Sequence, residues 1–446
     1  MKRLLLWGAT LSVVTASCAI APVPELLPDG RRSLPVTEPP VMATPVAAVG
    51  LISPSAAPRH EQSLERLTLP QALELAERVH PDFTVAQAQV ESAEGRALQA
   101  GLFPNPELVS RIESVPVTGR IVDRAEYLIG ISQPAPLSRR LGLARRVETL
   151  DRDRLELELE VKRLEIRRRV QGAFATVLYR QRVIQARAED VRIAENGVAV
   201  AKARLAAGDA IPAEVGQAEV EWGQARLALE QATSRRVQAI EALVTAIGDP
   251  TVRVESLEGA LEGSLALPTL EALATRLEHS PFIAAAEADI AVQHARIDLA
   301  DTQRIPDVSL ELLYRRIGDV ENTVDVGLRV PIPLFNRYQG RIREVRADFV
   351  ATEARARSAR NELTLELQTS YRTLARATAA ATLLRDEVLP GAENVLRSAE
   401  TRYASGDISL AELLPIRRDW TRVRLDYLDA LQDVMQAWAA LSPYLY

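Results

Sequence analysis

Two short stretches of alternating apolar and polar positions interrupt a chain whose apolar positions otherwise recur at helical spacing. Val308, Leu310, Leu312 and Tyr314 alternate with Ser309, Glu311 and Arg315. Val324, Val326, Leu328 and Val330 alternate with Thr323, Asp325, Gly327 and Arg329. A period of two gives each strand one apolar face and one polar face. A hairpin is therefore expected over about 307–331, with a less regular counterpart over about 107–133, in strands near 107–115 and 121–133. Strands of about 9–11 residues can cross a bilayer when tilted.

Around the hairpins the pattern is helical. Residues 70–102 read as a helix stopped by Asn105-Pro106, because proline cannot continue a helix and restricts its predecessor. Residues 138–206 carry Leu143, Leu150, Leu157 and Leu164 every seven positions, resumed at Leu178, which is a coiled-coil-like seam. Such a helix would run on the order of 100 Å. Gly208 supplies a turn, and Pro212 opens a return helix over 212–247. The first and the return helix together match the long one, so they are expected end to end beside it.

The same order recurs. Leu67-Thr68-Leu69-Pro70-Gln71-Ala72-Leu73 returns loosely as Leu267-Pro268-Thr269-Leu270-Glu271-Ala272-Leu273, and Pro81 as Pro281. Asn105-Pro106-Glu107-Leu108 returns as Ile305-Pro306-Asp307-Val308, and Gln133-Pro134-Ala135-Pro136-Leu137 as Val330-Pro331-Ile332-Pro333-Leu334. Arg204-Leu205-Ala206-Ala207-Gly208-Asp209 returns as Arg402-Tyr403-Ala404-Ser405-Gly406-Asp407. Ordered matches at nearly constant spacing mark a duplication. The expected organisation is a first repeat over 67–248, a linker over 249–266, a second repeat over 267–441 and a tail over 442–446. In the second repeat the hairpin is followed by a long helix over 336–404, with a kink or break at Pro390, and a return helix over 412–441.

Ahead of the repeats, Lys2 and Arg3 precede an apolar run from Leu4 to Val14 and then Thr15-Ala16-Ser17-Cys18. This reads as an export signal over 1–17. Cys18 stands where a bacterial lipobox would place the acylated residue, which makes it a lipidation candidate; simple cleavage between Ala16 and Ala21 is the alternative. Nine of the 26 prolines fall between Pro22 and Pro58, so 18–66 reads as an extended, Pro-rich tether to outer membrane lipid.

Composition narrows the function. The single Cys excludes a disulfide framework, and a net charge of −6 gives no reason to expect nucleic acid. His60, His80, His279 and His294 sit at no metal-ligand spacing, and there is no phosphate-binding glycine loop. No catalytic residue, metal site or cofactor is expected. Four membrane-length strands cannot close a barrel alone, and an open sheet edge in lipid costs several kcal/mol per unpaired group. Sharing the barrel among copies gives eight strands from a dimer or twelve from a trimer, and twelve leave a pore. A helical protein with two surface hairpins is the alternative.

With these residues in view, the chain resembles the TolC-like outer membrane efflux family over about 67–441. The motifs are Leu67 to Leu73 with Pro81, the entry Phe103-Pro104-Asn105-Pro106-Glu107-Leu108, and the two tip turns. The resemblance implies a mainly α chain with a membrane β-barrel: a homotrimer with a 12-stranded barrel on a long α-helical periplasmic tunnel. It also implies a periplasmic adaptor docking at the tip turns and an inner-membrane pump. Val330-Pro331-Ile332-Pro333-Leu334-Phe335-Asn336-Arg337-Tyr338-Gln339-Gly340 looks like the strand-to-helix junction of the cobalt–zinc–cadmium branch, which works with resistance-nodulation-division pumps. Heavy-metal export follows from that similarity. Drug efflux or polypeptide secretion through the same architecture, or a purely structural periplasmic coiled-coil lipoprotein, are the alternatives.

The site candidates cluster at the turns. Arg204, Leu205, Gly208, Asp209, Arg402, Tyr403, Gly406 and Asp407 are expected to form the adaptor-docking tip, and Asp209, Glu214, Asp407 and Glu412 a charged aperture favouring cations. Equally, the glycines can be read as helix C-caps and the charges as solvated ends.

Overall fold

The computed structural model describes residues 63–115, 125–261, 268–317 and 321–445. The expected export signal and Cys18, and most of the expected tether, lie outside the described residues.

Each repeat unfolds in the same order. The first runs β1 (Ser63–Thr68), α1 (Leu69–Val79), α2 (Pro81–Ala100), β2 (Glu107–Glu113), β3 (Glu126–Ala135), α3 (Arg140–Ala207) and α4 (Pro212–Ile247). The second runs β4 (Arg253–Glu258), α5 (Leu270–Glu278), α6 (Pro281–Thr302), β5 (Val308–Ile317), β6 (Glu321–Arg329), α7 (Gln339–Leu383), a π turn (Leu384–Val388), α8 (Leu389–Ala404) and α9 (Leu410–Leu441). A 3-10 turn, Ser442–Tyr444, follows and is buried.

Several expectations need correction. The helix expected over 70–102 is two helices: His80 is extended, and its Nδ1 accepts from the Asp82 N–H at 3.1 Å, capping α2 as Pro81 starts it. Ser280–Pro281 breaks the second repeat at the same place. The span expected as a linker holds β4, and the span expected as the end of the tether holds the start of β1; the two pair in parallel from Ser63↔Arg253 to Thr68↔Glu258. The kink or break expected at Pro390 falls beside a π turn, Leu384–Val388, which separates α7 from α8.

The cores lie between helices rather than in one globule. The largest gathers Leu67, Phe174, Leu178, Leu243, Ile247 and Leu257 where β1 and β4 meet the middle of α3 and the end of α4. Above it, Val147 of α3 packs on Val292 and Ala295 of α6. Below it, the buried face of α3 carries Ala186, Ala194, Gly197 and Ala201, and that of α4 carries Ala218. Small residues let two long helices approach closely without aromatic filler. The leucine seam is only half buried: Leu164 and Leu178 are covered, while Leu143, Leu150 and Leu157 are partly open.

Candidate functional site: sheet faces, free edges and tip turns

β2, β3, β5 and β6 form one antiparallel sheet in that order. Its register places Leu108, Ile131, Leu312 and Val326 in one row across all four strands, with Ile129, Tyr314 and Val324 in the next. All seven are exposed, Val326 at 74%. Seven apolar side chains standing in solvent on one sheet face would be unfavourable in water, and they match a surface turned to lipid. The opposite face combines the buried Leu128 and Leu313 with ion pairs. Glu311 forms an ion pair with Arg329 at 2.5 Å and faces Arg111 at 3.6 Å, while Arg315 bridges Asp325 at 2.5 Å and also pairs with Glu126. The alternation of apolar and charged positions was legible in the strand sequence; the pairing of β3 with β5, which joins the two repeats, was not.

The helices keep the same lateral order as the strands. Next to the sheet, α2 lies on α3, α3 on α6 and α6 on α7; further along, α4 lies on α3, α3 on α9 and α9 on α8. One edge of the chain is thus β2, α2 and α4, and the other is β6, α7 and α8. The exposed large apolar residues of the helices fall on these edges. They are Val85 and Leu98 on α2, Val220, Leu227 and Val237 on α4, Val350, Leu365 and Leu383 on α7, and Val395 on α8, with Val388 in the π turn. Among the described residues, Val200 is the exception, on α3.

At the far end, α3–α4 and α8–α9 close in matching turns. Gly208 and Gly406 have φ of 85° and 86°, left-handed values that suit glycine. The Asp209 N–H donates to the Arg204 carbonyl at 2.9 Å and the Gly208 N–H to that of Leu205 at 3.1 Å. Likewise the Asp407 N–H donates to the Arg402 carbonyl at 2.8 Å and the Gly406 N–H to that of Tyr403 at 3.1 Å. Each is a paired helix-terminating motif that satisfies carbonyls otherwise left open. The two turns touch: the Arg204 guanidinium lies 4.8 Å from the Tyr403 ring centre, over a core of Val198, Ala201, Ala218, Ile408 and Leu413.

The expected aperture residues have distinct surroundings. Asp209 is exposed, and Asp407 accepts from the Ser405 hydroxyl at 2.9 Å. Glu412 accepts from the Ser409 N–H at 2.8 Å, a helix-capping contact that, with Arg402 nearby, holds its carboxyl below the usual range. Arg204 Nη1, Glu214 Oε2 and Tyr403 Oη are shielded from solvent with no hydrogen-bond partner among the described residues. Sequence reading missed a cleft of about 410 Å³ further up, between α3, α4, α8 and α9. There Asp190 accepts from the Thr421 hydroxyl at 3.1 Å and faces Arg187 at 3.4 Å, and burial pushes its carboxyl up. Among the described residues no His, Cys, Asp and Glu cluster could hold a metal ion, and no helix is long and apolar enough to cross a membrane.

The model of outer membrane efflux proteins matches residues 72–249 and again 272–445, once in each repeat. The chain belongs to the outer membrane efflux protein family. It is an outer membrane channel protein, not an enzyme. One relative in this family, the cobalt-zinc-cadmium resistance protein CzcC of Cupriavidus metallidurans, is 30% identical over 382 residues, covering 85% of this chain and 90% of that protein. Among solved structures, the transmembrane channel CusC superposes with a TM-score of 0.74 at 16% identity, covering 84% of this chain and 91% of CusC. The outer membrane protein VceC of Vibrio cholerae gives 0.68 at 18% identity, over 84% and 95%. The expected fold class, mainly helical with a membrane sheet and an internal repeat, agrees with these efflux-family folds.

Proposed function

We propose that three copies join edge to edge, β6 of one to β2 of the next. The strands β2, β3, β5 and β6 of each chain then make a 12-stranded barrel, and four helices abreast make a 12-helix tunnel below it. The observation that carries this reading is the coincidence of unpaired strand edges with the exposed apolar residues of the edge helices. Both need a neighbour, and a copy of the chain supplies the complementary edge. The assembly is a passive exit duct for substrate driven by an inner-membrane resistance-nodulation-division pump through a periplasmic adaptor. Its cargo is divalent heavy-metal cations; similarity to the cobalt-zinc-cadmium resistance protein over most of both chains supports this.

The adaptor docks on the tip formed by Arg204, Leu205, Gly208, Asp209, Arg402, Tyr403, Gly406 and Asp407. The three unpartnered polar atoms there support a polar partner. Asp209, Glu214, Asp407 and Glu412 line the mouth, and its acidic ring favours cations. Cys18 carries the lipid that tethers the mature chain. Cells lacking the chain are expected to accumulate cobalt, zinc or cadmium and to lose tolerance to them; unchanged tolerance with new drug sensitivity would reassign the cargo. Loss of acyl labelling in Cys18→Ala tests the anchor. A bulky residue at Gly406 tests docking: trimers that form while export stays normal would refute it.

A further inference from the structure

The repeat gives a template for the contact between copies. Inside the chain, the turn after β3 meets the turn before β5, and there Arg140 of the first repeat pairs with Asp307 of the second at 2.5 Å. Arg140 is the third residue after Pro136-Leu137, and Asp307 follows Pro306. At the two free edges the same motifs recur. Arg337 is the third residue after Pro333-Leu334, in the turn after β6, and Glu107 follows Pro106 as the first residue of β2. Both are exposed, and neither has an ion pair among the described residues.

β6 runs into its turn and β2 runs out of its own, so antiparallel pairing of β6 with the next copy's β2 brings the two turns together. The turn after β6 is also longer than its in-chain counterpart: α7 begins six residues after Pro333, α3 four after Pro136. It is held by its own hydrogen bonds. The Tyr338 N–H donates to Asn336 Oδ1 at 3.0 Å, the Arg337 N–H to Gln339 Oε1 at 2.8 Å, and Gln339 Nε2 to the Phe335 carbonyl at 3.3 Å. Tyr338 takes a left-handed φ of 57°, a strained choice for a bulky residue. The outcome is a Phe335 side chain 91% exposed, beside exposed Ile332 and Leu334. The opposite edge presents Leu98, Leu102 and Phe103 at the same level, also exposed.

We infer that this turn is a clasp between copies: Arg337 of one chain pairs with Glu107 of the next, with Phe335 covered by the neighbour's Leu102 and Phe103. The inference rests on the edge-to-edge ring proposed above. It is tested with Glu107→Cys and Arg337→Cys combined in the full-length chain, treated in outer membranes with a short bismaleimide. Most chains should shift to covalent dimer and trimer on a denaturing gel, and neither single variant should. Arg140→Cys with Asp307→Cys, joined within one chain, should leave the size unchanged. Charge reversal gives the second reading. Glu107→Arg or Arg337→Glu alone should lower the temperature at which the oligomer dissociates, and the two together should restore it. No cross-link in a chain that still migrates as a trimer overturns the clasp and leaves the ring standing, as does a double reversal no better than the singles. A chain that is monomeric throughout overturns both.

Discussion

The Arg204 guanidinium stands 4.8 Å from the centre of the Tyr403 ring, and with that contact the two tip turns of one chain become a single unit. Tyr403 is buried while its hydroxyl has no hydrogen-bond partner among the described residues. The ring, not the hydroxyl, is therefore what stabilises the tip. Tyr403→Ala should cost about 3–5 kcal/mol, the usual range for truncating a buried aromatic. Tyr403→Phe should be neutral or slightly stabilising, since it removes an unsatisfied polar group. Thermal unfolding of both variants checks this, and a Phe variant as damaged as the Ala variant would show that the hydroxyl matters.

Gly406 tests the turn itself. No atom lies within 4 Å of where its Cβ would be, so Gly406→Ala meets only the backbone penalty of a left-handed residue. That penalty is roughly 1–2 kcal/mol. Gly406→Asn should cost less, because asparagine tolerates this conformation better. Equal losses measured by denaturant unfolding would mean that something besides φ is selected there.

Adjacent positions on β6 separate the two faces of the sheet. Val326 stands in the exposed apolar row, and Gly327 lies opposite Glu311 on the ion-paired face. Val326→Lys should cost up to about 2–4 kcal/mol at the bilayer midplane and deplete folded protein from the outer membrane. Gly327→Lys places a cation near Glu311 and should be tolerated. Heat-modifiable migration on gels reads both.

Asp190 makes stability depend on pH. Burial holds its carboxyl above the usual range, outweighing the downward pull of the Thr421 hydroxyl, Arg187 and Arg424. The folded chain thus holds this proton more tightly than the unfolded chain does. Its contribution to stability falls as pH rises from the ordinary carboxylate pKa through the raised one. Asp190→Asn should melt higher than the parent near neutral pH and lose that advantage below the ordinary carboxylate range. A variant destabilised at every pH would show that the charge is needed against Arg187 and Arg424.

Much of the architecture could be read from residue order. Alternation from Val308 to Arg315 gave β5 its two faces, because a strand's period leaves no other arrangement. The glycine turns at Gly208 and Gly406 were equally plain, since a left-handed stop has a local signature. The β1–β4 pair was not legible: two six-residue strands far apart in sequence leave no periodic trace, and one abuts a proline-rich segment. At Pro390 the sequence shows the obstacle but not the form it takes, because a π turn depends on the packing around it. The leucine heptads of α3 pointed to a seam, yet the lower half is sealed by Ala186, Ala194 and Ala201. At the tip, the type and place of the charged residues were visible; their partners, such as Ser409 for Glu412, depend on the folded turn.

The central claim is that one chain is a third of a closed channel wall. Native mass measurement of the complex extracted from outer membranes tests it most directly. The account predicts a single species with the mass of three mature chains; a monomer, or a stable dimer in its place, would contradict it.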